Sequence, residues 1–257
     1  MRLHTSSVFA LALGALLAAC GGSNTASNVE APGTDTRAKT AALDKGAAAL
    51  QDKPPIEALN AYLDGFHFYS GNLQAQMEAH HYCAVLNEEL IQCVIYDGNT
   101  RAAKIMGVEY IVSERLFQSL PPQEKALWHS HVHEVKSGQL VAPGIPQAAE
   151  HALMEKLVGT YGKTFHTWHT DQQKTLPIGV PQLMMGFTAD GQAHAAMVAE
   201  RDKRFGIDSA EKKKSRADIP APPIAEGADS WQKGPAVQIA DPTGAAHAHP
   251  QGAPAGR

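Results

Sequence analysis

Apolar residues fall into three regimes along this chain. Val8 to Ala19 is a short, nearly unbroken apolar run behind a single early Arg2. It is too short to span a bilayer as a helix and matches the h-region of a signal segment. From Gly21 to about Thr40 the apolar signal fades into Gly, Ser, Asn, Thr, Ala and Pro, which predicts a flexible tether. From about Pro54 to Gly206 apolar and polar positions alternate in short blocks separated by turn residues, which predicts a folded domain.

Within that domain the periods assign elements. Ala41 to Gln51 reads as a weak Ala-rich helix. "DKPPIEALNAYLDGF" reads as a firmer one, with Pro55 at its first position and Ile56, Leu59 and Leu63 along one stripe. "MEAHHYCAVLNEELIQCVIYDG" predicts two strands, His80 to Leu86 and Ile91 to Tyr96, around a polar tip. "IMGVEYIVS" predicts a third strand, from about Ile105 to Ser113. "ERLFQSL" and "PPQEKALW" predict short helices, and "HSHVHEVKSGQLVA" a return to extended chain. "PQAAEHALMEKLVGTYG" predicts a helix that starts at Pro146 and ends at Gly162. "KTFHTWHT" and "GVPQLMMGFT" are further strands, and "QAHAAMVAERDKRFG" is a late helix. Short adjoining strands favour antiparallel pairing. The expected fold is α+β, a mainly antiparallel sheet with packed helices in one domain. The expected division is a signal segment over 1–19, a tether over 20–53, the domain over 54–206, and a charged, then Pro/Ala/Gly-rich, mobile tail over 207–257.

Charge and composition narrow the function classes. The chain has 257 residues, 44% hydrophobic and 19% charged, with a formal charge of −4. That balance gives no electrostatic reason to expect nucleic acid. Leu17-Ala18-Ala19-Cys20 closes the apolar run and resembles a bacterial lipobox. That resemblance implies an acylated Cys20 at the mature N-terminus and attachment to a membrane through it. Gly21, rather than aspartate, follows the cysteine, which by the same resemblance favours the outer membrane. Two cysteines remain. If the two predicted arms pair around Glu88, Cys83 lies opposite Cys93. They are then either a bridge in an oxidising compartment or two small buried side chains.

Histidine is the candidate chemistry. "WHSHVHE" carries His129, His131 and His133 at i, i+2 and i+4, and an extended chain points all three to one side. A third ligand from a neighbouring strand, His80 or His81, would give three imidazoles with an open position for water. His133 lies about 13–14 Å from His129 along such a strand, at roughly 3.3 Å per residue, so it cannot share their ion. Glu134 would face away from such a site unless the strand bulges. The same histidines can equally form a hydrogen-bonded polar cluster without metal. Neither H-E-x-x-H nor paired zinc-type cysteines occur, and there is no G-x-S-x-G elbow or phosphate-binding loop.

"GFHFYSG", "EAHHYC", "QCVIYD", "GVEYIVSE", "LWHSHVHEVKSG", "LVAPGIP", "LVGTYGKTFHTW" and "LPIGVPQLMMGFT" resemble, in order, the oil body-associated protein family, a domain of unknown function. The similarity covers roughly Pro54 to Asp208. It implies association with lipid droplets, as in the plant members, which lack a signal segment. In that family the position of His133 is commonly aromatic, so the resemblance favours His129, His131, His80 and His81. It supplies no catalytic residue. The leading expectation is a lipid-anchored outer-membrane protein with a non-enzymatic binding or organising role at a lipid surface. The alternatives are a metal-dependent enzyme, for instance a hydrolase using zinc, iron or manganese, and a purely structural lipoprotein of the envelope.

Overall fold

The computed structural model describes residues 24–240. The expected signal segment and Cys20 lie outside the described residues. Among those described, no helix is long and apolar enough to cross a membrane.

Six antiparallel strands close into a barrel, with helices around it that include α1 (Ala38–Leu50), α3 (Glu114–Gln118) and α4 (Pro122–Lys125). The strands are β1 (Ala61–Tyr69), β2 (Asn72–Asn87), β3 (Leu90–Tyr96), β4 (Ile105–Ser113), β6 (Thr160–His166) and β7 (Gln182–Met185). The order β4-β3-β2-β1-β7-β6 closes through pairing of β4 with β6. A two-residue strand, β5 (His129–Ser130), adds to β6 beside β7. Gly71, at a φ of 87°, turns β1 into β2, a conformation that costs glycine little. Asn87 accepts from the Glu89 amide in the tip between β2 and β3, and the register sets Cys83 opposite Cys93. Their sulfurs are joined, with the Cα atoms 4.1 Å apart.

Alternation decides what fills the barrel. Leu63, Cys83, Ile91, Cys93 and Ile111 form one apolar cluster, covered by Val135, Met154 and Leu157. These three come from the helices α5 (Val132–Lys136) and α6 (Gln147–Leu157). Tyr69, Met77 and Met184 form another cluster. Along β1, His67 sits between Leu63 and Tyr69; along β2, His81 sits between Met77 and Cys83. A buried polar layer therefore separates two apolar ones. Outside the barrel, Phe66, Phe68, Leu183 and Phe187 pack under Met197, Val198 and Trp231. This lays α7 (Ala195–Phe205) against β1 and β7.

Five expectations are corrected. The helix expected from Pro55 is only the turn α2 (Pro54–Glu57), and Ala61–Tyr69 is a strand. Seven of its nine residues, from Leu63 on, are buried, so it has no polar face for a surface helix to show, and its aromatic run suits a sheet covered on both sides. "HSHVHEVKSGQLVA" is not extended: β5 ends at Ser130, His131 takes helical φ and ψ while its amide still donates to Thr160 O at 3.2 Å, and α5 follows. Gly162 ends no helix and lies inside β6. Within the described residues the chain past Gly206 is part of the fold rather than a free tail. Arg216 is fully buried beyond α8 (Ser209–Ser215) and donates to the carbonyls of Val135 and Leu140. Likewise Val29 is buried, and Ser27 donates to Asp97 at 2.7 Å, so part of the expected tether is docked.

Arg201 of α7 holds that helix to β1 through a fully buried pair, Nη1 to Asp64 Oδ1 at 2.7 Å. Removing one partner strands the other charge away from water. Arg201→Met is expected to lower unfolding free energy by about 3–5 kcal/mol in urea titration. Adding Asp64→Leu to that variant should restore part of the loss.

Candidate functional site

Glu109 lies at the centre of β4, on its inward side, and is 2% exposed. His81 of β2 places Nε2 2.9 Å from Glu109 Oε2. His131 places Nε2 3.2 Å from Oε1, and His129 Nε2 lies 3.5 Å from the same oxygen. Glu134, from the first turn of α5, brings Oε2 to 3.8 Å from His131 Nε2 and 3.9 Å from His129 Nε2. His67 stands edge-on to His81 and His129, and its Nδ1 lies 3.4 Å from His166 Nε2. All these side chains are buried.

The backbone brings them together by two devices. His131 takes helical φ and ψ at the corner between β5 and α5, so its ring and the Glu134 carboxylate both turn back towards His129. Glycines supply the room. A Cβ on Gly162 would collide with Glu109 and come within 2.8 Å of His129 Nε2. One on Gly186 would lie 3.0 Å from both Glu134 and His129.

Local hydrogen bonds fix two of the rings. Thr160 donates its hydroxyl to Leu157 O, so its oxygen can only accept from His131 Nδ1, at 2.8 Å. His81 Nδ1 faces the Ala79 carbonyl at 3.0 Å and must donate to it. Each ring then aims Nε2 at Glu109. His129 is different: neither ring nitrogen has a hydrogen-bond partner.

Electrostatics divides the histidines into two groups. Burial opposes ionisation of Glu109, but the rings of His129, His131 and His81 hold its carboxyl well below the usual carboxylate range. Burial likewise opposes charge on His81 and His129, and the Glu109 carboxylate more than offsets it, raising both. Burial pushes Glu134 up. For His67 and His166 the more distant Glu109 does not offset burial: burial, with the neighbouring rings, lowers His67 well below its ordinary value and His166 to about 3.

His129, His131 and His81 therefore meet, through Glu109. His80 does not join them. As the chain neighbour of His81 it faces the other side of β2, where Nδ1 lies 2.8 Å from the Tyr62 hydroxyl and 3.0 Å from Asp64 Oδ2. The acids there are already paired, Asp64 with Arg201 and Glu78 with Arg204. His133 also points away, half-buried near Asp190 and Lys213. Glu134 was expected to reach the site only through a strand bulge; the helical turn brings it there instead. Among the described residues three donor sets have atoms within 4.8 Å of one another: His129–His131–Glu134, His67–Glu109–His129 and, on the other face of β2, Asp64–Glu78–His80. Glu109 escaped the sequence reading, and His67 was not singled out there as a ligand. The one signal for Glu109 was a lone acid inside the apolar strand "IMGVEYIVS".

A family model described as a protein of unknown function, DUF1264, matches residues 53–220. The chain belongs to the DUF1264 family. Oil body-associated protein 1B of Arabidopsis thaliana is 44% identical over 216 residues, 82% of this chain and 90% of its own length. Oil body-associated protein 1A of Zea mays is 43% identical over 195 residues, 76% of this chain and 82% of its own. Oil body-associated protein 2A of Zea mays is 39% identical over 215 residues, 81% and 85% of the two chains. No solved structure matches. These relatives correct the expected outer-membrane location: they are plant proteins named for oil bodies. The DUF1264 match also runs past the domain end expected at Gly206.

His166 gives this DUF1264 barrel a defined acid sensitivity. Its ring charges at pH about 6.5 when unfolded and only at about 3 when folded. Above 6.5 it has no effect. Below 6.5 the unfolded chain takes up a proton that the folded chain refuses, so stability falls until about pH 3. His166→Gln is expected to flatten this fall by up to about 1.4 kcal/mol per pH unit, read by urea unfolding at a series of pH values between 7 and 4.

Proposed function

We propose that this chain is a non-enzymatic protein of lipid surfaces that contacts them through the outer face of β2, β3 and β4. One observation carries the reading: that face is apolar and uncovered among the described residues. Ile105, Val108 and Tyr110 of β4 are each at least 40% exposed. The register sets Val94 beside Val108, and Tyr96 beside Ile105. Tyr82 lies beside Val94 in turn, and all three of these β2 and β3 side chains are half-buried. Val85 and Leu86 extend the apolar surface at the end of β2. An open cavity of about 540 Å³ adjoins it, lined by Ile56, Leu59, Tyr82 and Tyr96 with Arg101 among its polar groups. Contiguous exposed apolar surface with a polar rim marks an interaction site, and tyrosine suits a boundary that is apolar on one side and wet on the other. The names of the relatives, oil body-associated proteins, support a lipid partner for it.

An acyl group on Cys20 belongs to the same reading as a second attachment. Expressed in a bacterial host, the wild-type chain is expected to label with palmitate and Cys20→Ser to lose the label; equal labelling would remove the anchor from the proposal.

The face is tested with Cys20→Ser throughout, so that no acyl chain decides the result. The chain is expected to float with triacylglycerol droplets coated in phosphatidylcholine. Val108→Asp with Tyr110→Asp should reduce partitioning at least about tenfold, the equivalent of 1.4 kcal/mol. A parent protein that stays in the aqueous phase would sink the lipid reading. Undiminished flotation of the double variant would move the contact elsewhere.

A further inference from the structure

We propose that the interior of the barrel holds one divalent transition metal ion, ligated by His129 Nε2, His131 Nε2, Glu109 Oε1 and Glu134 Oε2. This goes beyond the lipid reading and is independent of it.

The first support is geometric. Zinc-type donors at about 2.0–2.2 Å in a tetrahedral array lie about 3.3–3.6 Å from one another. The four histidine–glutamate separations here are 3.2, 3.5, 3.8 and 3.9 Å. His129, His131 and Glu134 present donor atoms all within 4.8 Å of one another. Glu109 Oε1 lies within 3.5 Å of both ring nitrogens, and movement of Glu134 towards them completes the set.

The second support is chemical. His129 is fully buried and both its ring nitrogens lack a hydrogen-bond partner. A buried polar atom left unpaired is costly, and a metal bond would remove that cost at Nε2, with the ring proton then on Nδ1. For His131, the bond from Nδ1 to Thr160 leaves a lone pair on Nε2 of the neutral ring. That lone pair faces a Glu109 oxygen 3.2 Å away. Two lone pairs at that distance repel unless a cation lies between them. Two imidazoles and two carboxylates are neutral as a set around a divalent ion. Mixed nitrogen and oxygen donors of this kind suit zinc, iron or manganese.

The surroundings match a bound ion. His81 holds the second oxygen of Glu109 at 2.9 Å, and Thr160 holds the far side of His131; such outer contacts orient metal ligands. A cavity of about 10 Å³ beside the donors lies between His81, Glu109, His131 and Glu134 on one side and Leu63 and Leu140 on the other, room for one water molecule and none for an organic substrate. The ion is accordingly structural: it ties β4, β5 and α5 together from inside. His80 belongs to none of this, since the arginines already neutralise its acidic neighbours.

The test uses the full chain carrying Cys20→Ser, purified without chelators and without a polyhistidine tag, with metal measured by mass spectrometry. About one equivalent of zinc, iron or manganese is expected. His133→Ala should retain it. Glu109→Gln and His131→Gln should lose it, and His81→Gln should weaken it roughly 10–100-fold. Variants that fail to fold are covered by the wild type: chelation should lower its melting temperature and re-addition of the ion restore it. A metal-free wild type whose melting temperature ignores zinc, manganese and ferrous iron would overturn the proposal and leave protons as the cations of the cluster. Metal retained by folded Glu109→Gln and His131→Gln would overturn it as well.

Discussion

A carboxylate inside a closed barrel has no water to solvate it, and Glu109 is such a carboxylate. Its charge is expensive there unless cations or donors surround it. The barrel is arranged around meeting that demand. β2 contributes His81, the corner after β5 contributes His131, and β5 itself contributes His129. β6 contributes the absence of a side chain at Gly162, which lets Glu109 and His129 approach. Thr160 and the Ala79 carbonyl then fix which nitrogen of His131 and His81 faces inward. Taking away the carboxylate would leave several buried imidazoles with nothing to face.

Much of the sheet was legible because period-2 alternation needs only local sequence. The strand expected over Ile105 to Ser113 is β4 with the same bounds, and the arm from Ile91 to Tyr96 is β3 but for one residue. β1 was misread because its apolar residues also fit a helical stripe. Only burial on both faces separates the two assignments, and that depends on partners far along the chain. The site was legible in part for the same reason. His129 and His131 do meet, but by a corner rather than by a shared strand face. The chain turns into α5 at His131, opposite the first residue of β6, a tertiary fact that no spacing encodes. His80 and His81 could not be told apart in sequence. Which of two neighbours faces inward is set by register, and both faces of β2 are buried at that point.

Composition misjudged the chain after Gly206 for a different reason. Lys, Arg, Ser and Pro predict solvent, yet Arg216 is buried, held by two carbonyls and Glu150. Arg201 does the same for α7 through Asp64 and the Gln139 carbonyl. In both cases the guanidinium supplies a planar set of donors that several fixed acceptors can satisfy at once. Segments poor in apolar residues dock here through such forks, which hydropathy does not register.

β4 joins the two halves of the functional picture. Side chains alternate along it, so Glu109 points into the barrel while Val108 and Tyr110 point out. Whatever fixes Glu109 inside also fixes the strand that presents the apolar face outside, across one peptide unit on either side. An ion joining Glu109 to β5 and α5 would brace that strand from within. The surface would then meet a lipid boundary already ordered, and less conformational freedom would be lost on contact. A buried ion can in this way serve a binding protein without taking part in any reaction.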